Sequence, residues 1–152
     1  GGETWYYTCV NPQGGYLNRF IDYSLLKMRL LHWFNFRHNL NGYLHWGGNY
    51  WSDKPFENVE PVINDGRTLL PPGDNALVYP NPEKLSIYSS IRLAVMREGI
   101  EDYELLVELA KRDPELAERL AREMIPAVLD YTRDNDAFQK LYQELLESPA
   151  WD

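Results

Sequence analysis

The sequence predicts a mixed α/β fold that ends in an all-helical part. Segments rich in aromatic and β-branched residues alternate with a helical period in residues 1–46, whereas residues 89–152 carry helical periods with little glycine. The 152 residues are 44% hydrophobic and 25% charged, which is typical of one ordinary globular domain. Residues 1–88 hold 16 of the 21 aromatic residues and nine of the ten glycines, so we expect the first half to contact a ligand and the second half to provide packing.

The first half begins with a predicted βαβ unit. Residues 3–10 are aromatic and β-branched, which predicts a buried strand. A helix capped by Asp22 or Ser24 follows and runs to about His38, and residues 43–46 predict a second short strand. Because a helix that joins two strands of one sheet leaves them parallel, we expect a parallel pair with a right-handed crossover.

The middle of the chain, from Gly47 to about Tyr88, shows no sustained period. The sequence therefore predicts a single loop of roughly forty residues, far longer than the usual connection of about four to six, and such loops are typically functional or disordered. The aromatic residues Trp51, Phe56 and Tyr79 favour an ordered loop.

The C-terminal half predicts three helices. Ser89 or Ser90 caps the first, an Asp-Pro pair at residues 113–114 starts the second, and the third covers residues 136–148 approximately. The expected apolar stripe of the first of these helices steps by three or four residues. Its members are Met96, Ile100, Tyr103, Val107 and Ala110.

The composition excludes several classes of partner. The formal net charge is -8 and the isoelectric point is near 4.9, so we expect no nucleic-acid partner, because such a chain cannot neutralise a phosphate backbone. No run of 18 apolar residues is present, so no membrane-spanning helix is expected. The single cysteine, Cys9, excludes an internal disulfide framework. The three histidines match no zinc pattern, and no metal site or cofactor is expected.

Individual titratable residues have structural interpretations. Cys9 falls in the predicted buried strand, where a free thiol behaves as a small apolar residue. The adjacent carboxylates Glu101 and Asp102 fall on a charged helix face that we interpret as solvated. Arg92 and Arg97 are expected to pair with such acids or with a preceding helix end. No catalytic residue is therefore assigned within the chain.

The segment Trp-Gly-Gly-Asn-Tyr-Trp at residues 46–51 is the strongest candidate for ligand binding. It follows the carboxyl end of a predicted strand, where parallel α/β folds place their ligand-binding loops. Aromatic rings beside an amide and two glycines suit a sugar, because rings stack on apolar sugar faces and amides bond to hydroxyl groups. A buried aromatic plug of the core explains the same composition, so the residues alone leave both interpretations open.

Five ordered segments resemble the closing part of the glycoside hydrolase family 123 catalytic domain. The resemblance spans about residues 3–109. The segments are Trp5-Tyr6-Tyr7-Thr8-Cys9, Asn18-Arg19-Phe20-Ile21-Asp22-Tyr23, Gly42-Tyr43-Leu44-His45-Trp46-Gly47-Gly48-Asn49-Tyr50-Trp51, Leu77-Val78-Tyr79-Pro80, and Ser90-Ile91-Arg92-Leu93 continuing through Met96-Arg97-Glu98-Gly99-Ile100-Glu101-Asp102-Tyr103-Glu104.

The resemblance implies a (β/α)8 barrel that hydrolyses β-linked N-acetylgalactosamine, with the substrate's own acetamido oxygen as the nucleophile. The family's consecutive Asp-Glu pair, which orients the acetamido group and protonates the leaving oxygen, would lie upstream of this chain. Residues 1–110 would then hold the last two barrel strands, the long loop on the catalytic face and the last helix. Residues 111–152 would form a helical extension.

The resemblance also implies sugar contacts by the strand-end aromatic residues and Asn49, and we expect a further contact from Asp74 in the long loop. Trp46 would form the floor of the subsite for the scissile sugar, with Trp51 or Tyr50 as a wall, and Asn49 would bond to a hydroxyl or to the acetamido group. The complete expected set is Tyr7, Trp46, Asn49, Tyr50, Trp51 and Asp74.

Three classes of function remain open at this point. The first is the substrate-binding C-terminal segment of a retaining glycoside hydrolase acting on N-acetylhexosamine-containing glycans. The second is a non-catalytic carbohydrate-binding segment, and the third is a structural or interaction domain. Because two parallel strands with unpaired edges are marginal in water, we expect the chain to self-associate or to pair with the N-terminal remainder of the barrel.

Overall fold

The computed structural model describes residues 2–51, 54–56 and 70–151. Its secondary structure is mixed, as predicted. In chain order the elements are β1 (Trp5–Thr8), α1 (Leu25–Arg37), β2 (Gly42–His45), β3 (Val78–Asn81), β4 (Ser86–Ser89), α2 (Ile91–Arg112), α3 (Pro114–Met124), α4 (Asn135–Leu146) and a final 3-10 turn (Pro149–Trp151).

The predicted βαβ unit is present, and its two strands are parallel. β1 pairs with β2 from Trp5 opposite Gly42 to Thr8 opposite His45. The helix between them starts where the sequence indicates, because the Ser24 side chain accepts a hydrogen bond from the backbone N–H of Lys27. This helix, α1, covers one face of the pair, where the ring of Phe34 lies 4.9 Å from that of Tyr6.

The opposite face of the β1–β2 pair is exposed, so the prediction of a buried first strand was wrong for that face. Trp5 is 53% exposed, Tyr7 47% and Leu44 52%. Side chains alternate between the two faces of a strand, and among the described residues α1 packs on only one of them. Cys9, predicted within the strand, lies one residue beyond it and is half-buried.

The predicted long loop after β2 contains a hairpin that the sequence analysis missed. β3 and β4 pair antiparallel, with Val78 opposite Ser89 and Asn81 opposite Ser86. Strands of four residues are too short to show a period, and Pro80 inside β3 argued against a strand. Part of the same predicted loop, residues 52–53 and 57–69, lies outside the described residues.

The three predicted C-terminal helices are present, with local caps at their starts. Ser90 caps α2 through the N–H of Leu93, and Asp113 caps α3, which has proline at its first position. The last helix, α4, is capped by Asp134 through the N–H of Ala137 and so begins slightly before the predicted start. α3 ends at Met124, before the proline at position 126.

The buried face of α2 is rotated from the predicted stripe. Ile100, predicted inward, is 47% exposed, whereas Gly99 and Asp102 face the protein interior. A Cβ on Gly99 would lie 2.5 Å from the carbonyl oxygen of Arg29, so this glycine permits a close contact between α1 and α2. The buried residues of α2 are Arg92, Met96, Gly99, Asp102, Leu106 and Leu109.

The prediction that Asp102 is solvated was wrong. Asp102 is 0% exposed, and both of its carboxylate oxygens accept hydrogen bonds from Arg29, at 2.7 and 2.8 Å. The indole N–H of Trp33 donates to the same carboxylate at 2.9 Å. Its sequence neighbour Glu101 is exposed as predicted and pairs with Arg97 at 3.5 Å. Asp102 therefore joins α2 to α1 in the core and is not a free acid.

One hydrophobic core joins α1 with the C-terminal helices. α1 contributes Met28, Leu31 and Trp33, each fully buried, and α3 contributes Leu120 and Met124 to the same cluster. None of the helices within the described ranges combines the length and the apolar character needed to cross a membrane.

Candidate functional site

The candidate site lies at the carboxyl ends of β1 and β2, where the sequence analysis expected it. Trp46 follows directly after the last residue of β2, and its side chain is 36% exposed. Tyr7 is the penultimate residue of β1 and is 47% exposed. Partial burial and the Cys9 thiol raise the pKa of Tyr7, and the charge of Asp74 adds to this shift.

Asp74 accepts a hydrogen bond at the edge of the Trp46 ring. The indole N–H of Trp46 donates to Asp74 Oδ2 at 2.8 Å, and the carboxylate is 0% exposed. A charge-assisted hydrogen bond to a buried carboxylate fixes the ring more firmly than contact with water would. Asp74 therefore contacts Trp46 directly and presents no surface of its own.

Asp74 also contacts the imidazole of His45. The sequence analysis interpreted this histidine as a structural residue and did not include it in the site. His45 Nε2 lies 2.7 Å from the backbone oxygen of Asp74 and 3.1 Å from its Oδ1. On the other side of the ring, Nδ1 lies 2.7 Å from the hydroxyl oxygen of Thr8, which lies 2.5 Å from that of Tyr43. The result is a continuous chain of hydrogen bonds from β1 and β2 to the Asp74 loop.

The direction of this chain follows from the chemistry of the groups. A carbonyl oxygen only accepts, so His45 Nε2 must donate to the backbone of Asp74. When the imidazole is neutral, Nδ1 is an acceptor, and Thr8 then donates to His45 while Tyr43 donates to Thr8. Burial raises the pKa of Tyr43, which keeps its phenol protonated as this direction requires.

Two buried arginines fix the backbone of the loop that carries Asp74. Arg92, near the start of α2, donates to the carbonyl oxygens of Arg19 and Gly73, at 2.9 and 2.8 Å, and to that of Ala76 at 2.5 Å. Arg19 donates to the carbonyl oxygen of Asp74 at 3.3 Å. Burial lowers the pKa of Arg19 to about 10, so its guanidinium is still charged at neutral pH.

The expectation that Arg92 pairs with acids or with a helix end was therefore wrong. Its planar guanidinium presents several donors in fixed directions, which suits a loop whose carbonyl groups converge. Gly73 permits the approach, since its φ is +81° and a Cβ would lie 2.5 Å from Arg92 Nη1. Gly73 and Asp74 lie far from Arg92 in the chain, so no local sequence pattern indicated that Arg92 would bind this loop.

The segment after Trp46 pairs with the segment after Asp74. Tyr50 N–H donates to the carbonyl oxygen of Asn75 at 3.1 Å, and Asn49 forms an isolated antiparallel bridge with Ala76. A Cβ on Gly47 would lie 2.9 Å from the Asn75 carbonyl oxygen. Gly47 therefore admits a backbone and not a ligand. Gly48 has open space at its Cβ position.

The aromatic side chains of this segment differ in how free they are. The ring of Tyr50 is 46% exposed and lies 5.5 Å from that of Trp46, at an angle of 58°. Trp51 is only partly exposed, and its indole N–H donates to the carbonyl oxygen of Val78 at 2.7 Å. Trp46, Tyr50 and Asp74 thus form one contact cluster, whereas Trp51 is held against β3.

Comparison with protein families is decisive for this chain. The family model of the glycoside hydrolase 123 catalytic domain matches residues 1–109. The chain belongs to glycoside hydrolase family 123. The match covers both parallel strands, the hairpin and most of α2, and it confirms the resemblance drawn from the five sequence segments.

A solved structure is similar to this family 123 chain. It was described in a study of glycolipid glycan hydrolysis by a family 123 glycoside hydrolase from Clostridium perfringens, and it matches with a TM-score of 0.63 and 24% sequence identity. The match covers 92% of this chain and 25% of that protein, so the two share a fold over this part. No match was found among curated proteins.

Proposed function

We propose that this chain is the substrate-binding C-terminal segment of a retaining glycoside hydrolase that acts on N-acetylhexosamine-containing glycans. The observation that carries the proposal is the Trp46 ring, exposed at the carboxyl end of a parallel strand and held by a buried Asp74. Family membership supports glycoside hydrolysis as the chemistry. The chain spans about a quarter of the similar solved protein, and the catalytic Asp-Glu pair is proposed to lie upstream.

In this proposal β1 and β2 are the last two strands of a (β/α)8 barrel. Their parallel register and the helix packed on one face support it, because barrel helices cover only the outside of the strands. The exposed face of Trp5, Tyr7 and Leu44 would then point into the barrel. Residues 1–110 would close the barrel and residues 111–152 would be its helical extension, although α2 runs through this boundary and α3 shares the core of α1.

The sugar would stack on Trp46. The face of an aromatic ring is electron-rich, and a carboxylate at the indole N–H adds to that negative potential, which favours the polarised C–H groups of a sugar. Tyr50, tilted against Trp46, would form a wall, and Asn49 would bond to a hydroxyl or to the acetamido group. Tyr7 would contribute from the neighbouring strand.

The other two expected contacts take different positions in this proposal. Asp74 would act through Trp46, because its carboxylate is buried and already accepts the indole N–H. The indole N–H of Trp51 is occupied by Val78, so only the ring of Trp51 is left to contact the sugar. In the family reaction, the acetamido oxygen of the substrate is the nucleophile, and the chain's own part is to hold the sugar while the upstream pair acts.

The test is to replace Trp46 by Ala and by Phe in the full-length protein, and to measure both the melting temperature and the affinity for N-acetylgalactosamine. Loss of a stacking ring is worth about 0.5–1.5 kcal/mol beyond the lost area, so Trp46→Ala should weaken affinity about two- to tenfold or more. Trp46→Phe keeps a ring and should retain most of the affinity. Trp151→Ala, a partly exposed tryptophan outside the site, is the matched control.

The result that contradicts sugar binding is a large fall in melting temperature for Trp46→Ala with unchanged affinity. That outcome would favour the aromatic plug. A separate assay distinguishes a hydrolase from a non-catalytic binding segment. We expect the 152-residue chain alone to release no nitrophenol from an aryl N-acetyl-β-galactosaminide, and the full-length protein to release it. Binding without turnover by the full-length protein would favour the non-catalytic alternative.

A further inference from the structure

A cavity of about 320 Å³ lies at the N-terminal end of α1, and none of its lining residues belongs to the Trp46 site. Three segments form its walls: the glycine pair at residues 14–15 after β1, the first turn of α1, and residues 131–133 before α4. The polar side chains that line it are Ser24, Lys27, Tyr131, Thr132 and Arg133.

Two cations, Lys27 and Arg133, line the cavity in a chain whose net charge is -8. Lys27 is only 8% exposed, and Arg133 shares the cavity wall with it. Burial lowers the pKa of Lys27 to about 8, and the positive charge of Arg133 contributes to this shift. Within residues 2–51, 54–56 and 70–151, no carboxylate forms an ion pair with either cation.

Lys27 and Arg133 each contact uncharged groups, which hold the side chain but do not neutralise its positive charge. Lys27 Nζ donates to the carbonyl oxygen of Gly14 at 2.6 Å and lies 3.4 Å from the centre of the Tyr23 ring. The guanidinium of Arg133 lies 4.9 Å from the centre of the Tyr131 ring. An ammonium has three donors and a guanidinium five, so each cation keeps donors for a further acceptor.

The neighbouring polar groups also favour an anion. The hydroxyl groups of Ser24 and Thr132 line the same cavity and can donate. The first turn of α1 contains no acidic residue, so the positive end of the helix dipole adds to the charge of Lys27 and Arg133.

We propose that this cavity binds a tetrahedral oxyanion, a phosphate or a sulfate group, between Lys27 and Arg133. The two cations belong to two different wall segments of the cavity, and the hydroxyl groups match the several acceptor oxygens of such a group. This inference depends on the charges of the cavity alone and holds whether or not the sugar site is correct.

The test is a titration of the protein with inorganic phosphate and with sulfate, at an ionic strength held constant with sodium chloride. Calorimetry should show saturable binding at one site. Lys27→Met and Arg133→Gln should each weaken binding at least tenfold. The matched controls Lys111→Met and Arg97→Gln, two exposed cations paired with Glu108 and Glu101, should bind as the unchanged protein does.

A second measurement reports on the site itself. The pKa of Lys27, followed by NMR, should rise when phosphate is present, because a bound anion favours the charged amine. Binding of equal strength in all four variants, or a Lys27 pKa that phosphate does not move, would overturn the proposal. If Lys27→Met fails to fold, the binding measured for Arg133→Gln tests the proposal by itself, because Arg133 is exposed and its replacement should not prevent folding. Acetate in place of phosphate, binding equally well, would refute the preference for a tetrahedral group.

Discussion

The indole nitrogen of Trp46 lies 2.8 Å from Oδ2 of Asp74, 28 positions later in the chain. The aspartate is fully buried, while the ring that it holds is 36% exposed. An exposed ring with a fixed orientation is suited to recognition, because little conformational freedom remains to be lost on binding. This pair links the two segments of the candidate site.

Replacing Asp74 by Ala should destabilise the protein and release the Trp46 ring. The substitution leaves a partly buried indole N–H without its acceptor, at a cost of about 1–3 kcal/mol. The backbone oxygen of Asp74 remains for His45 and Arg19, so the change isolates the carboxylate. Urea unfolding measures the stability, and the indole ¹H–¹⁵N resonance of Trp46 reports on the bond.

The matched variant is Asp74→Asn, whose amide oxygen can still accept from Trp46. It should cost less than Asp74→Ala and should retain a protected indole N–H. An indole resonance that neither variant alters would show that Asp74 does not hold the ring.

Asp102 and Glu101 are adjacent carboxylates with opposite expected effects. Burial lowers the pKa of Arg29, but the hydrogen bonds to Asp102 and its negative charge have the larger combined effect, so the pKa of Arg29 is raised. Removing one partner of a buried pair costs about 3–5 kcal/mol, so Asp102→Ala should be strongly destabilising. Glu101→Gln changes an exposed group and should stay within about 0.5 kcal/mol. Equal losses in chemical unfolding would contradict the arrangement.

His32 should make the protein less stable as the pH falls. Burial lowers the pKa of His32 to about 4, although the charge of Asp102 opposes this shift. Between the unfolded pKa of about 6.5 and the folded value, the unfolded chain binds a proton that the folded chain does not. The free energy of unfolding therefore falls as the pH drops through this range. Since one pKa unit corresponds to about 1.36 kcal/mol, the total loss is about 3 kcal/mol.

The measurement is the free energy of unfolding at several pH values for the unchanged protein and for His32→Gln. The difference between the two proteins should shrink as the pH falls from 7 to 4. A difference that is constant over this range would mean that His32 keeps its ordinary pKa in the folded state.

The exposed face of β1 and β2 should make the isolated chain self-associate. Unpaired strands with large apolar side chains favour further association. We expect Leu44→Glu to reduce the association seen by light scattering. Leu146→Glu, at a similarly exposed leucine on α4, should not reduce it. A strictly monomeric chain that melts cooperatively would contradict this expectation.

Local signals determined much of the fold. Ser24, Ser90 and Asp113 each accept a hydrogen bond from a backbone N–H three residues later, and the helices start where the sequence predicted. Such a cap needs only neighbouring residues, so the sequence contains all the information. The parallel pairing of β1 and β2 followed in the same way from a strand, a helix and a strand in succession.

The tertiary structure alone decided which polar residues are buried and what they bind. Asp102 and Glu101 are adjacent acidic residues that the sequence pattern does not distinguish. They differ in burial because Arg29 on α1 binds only Asp102, whereas Glu101 is exposed. Likewise, Trp46 was predictable as a ring at a strand end, but its bond to Asp74 was not. Asp74 lies in a loop whose carbonyl groups accept hydrogen bonds from Arg92, and contacts between residues far apart in the chain depend on packing that no local pattern encodes.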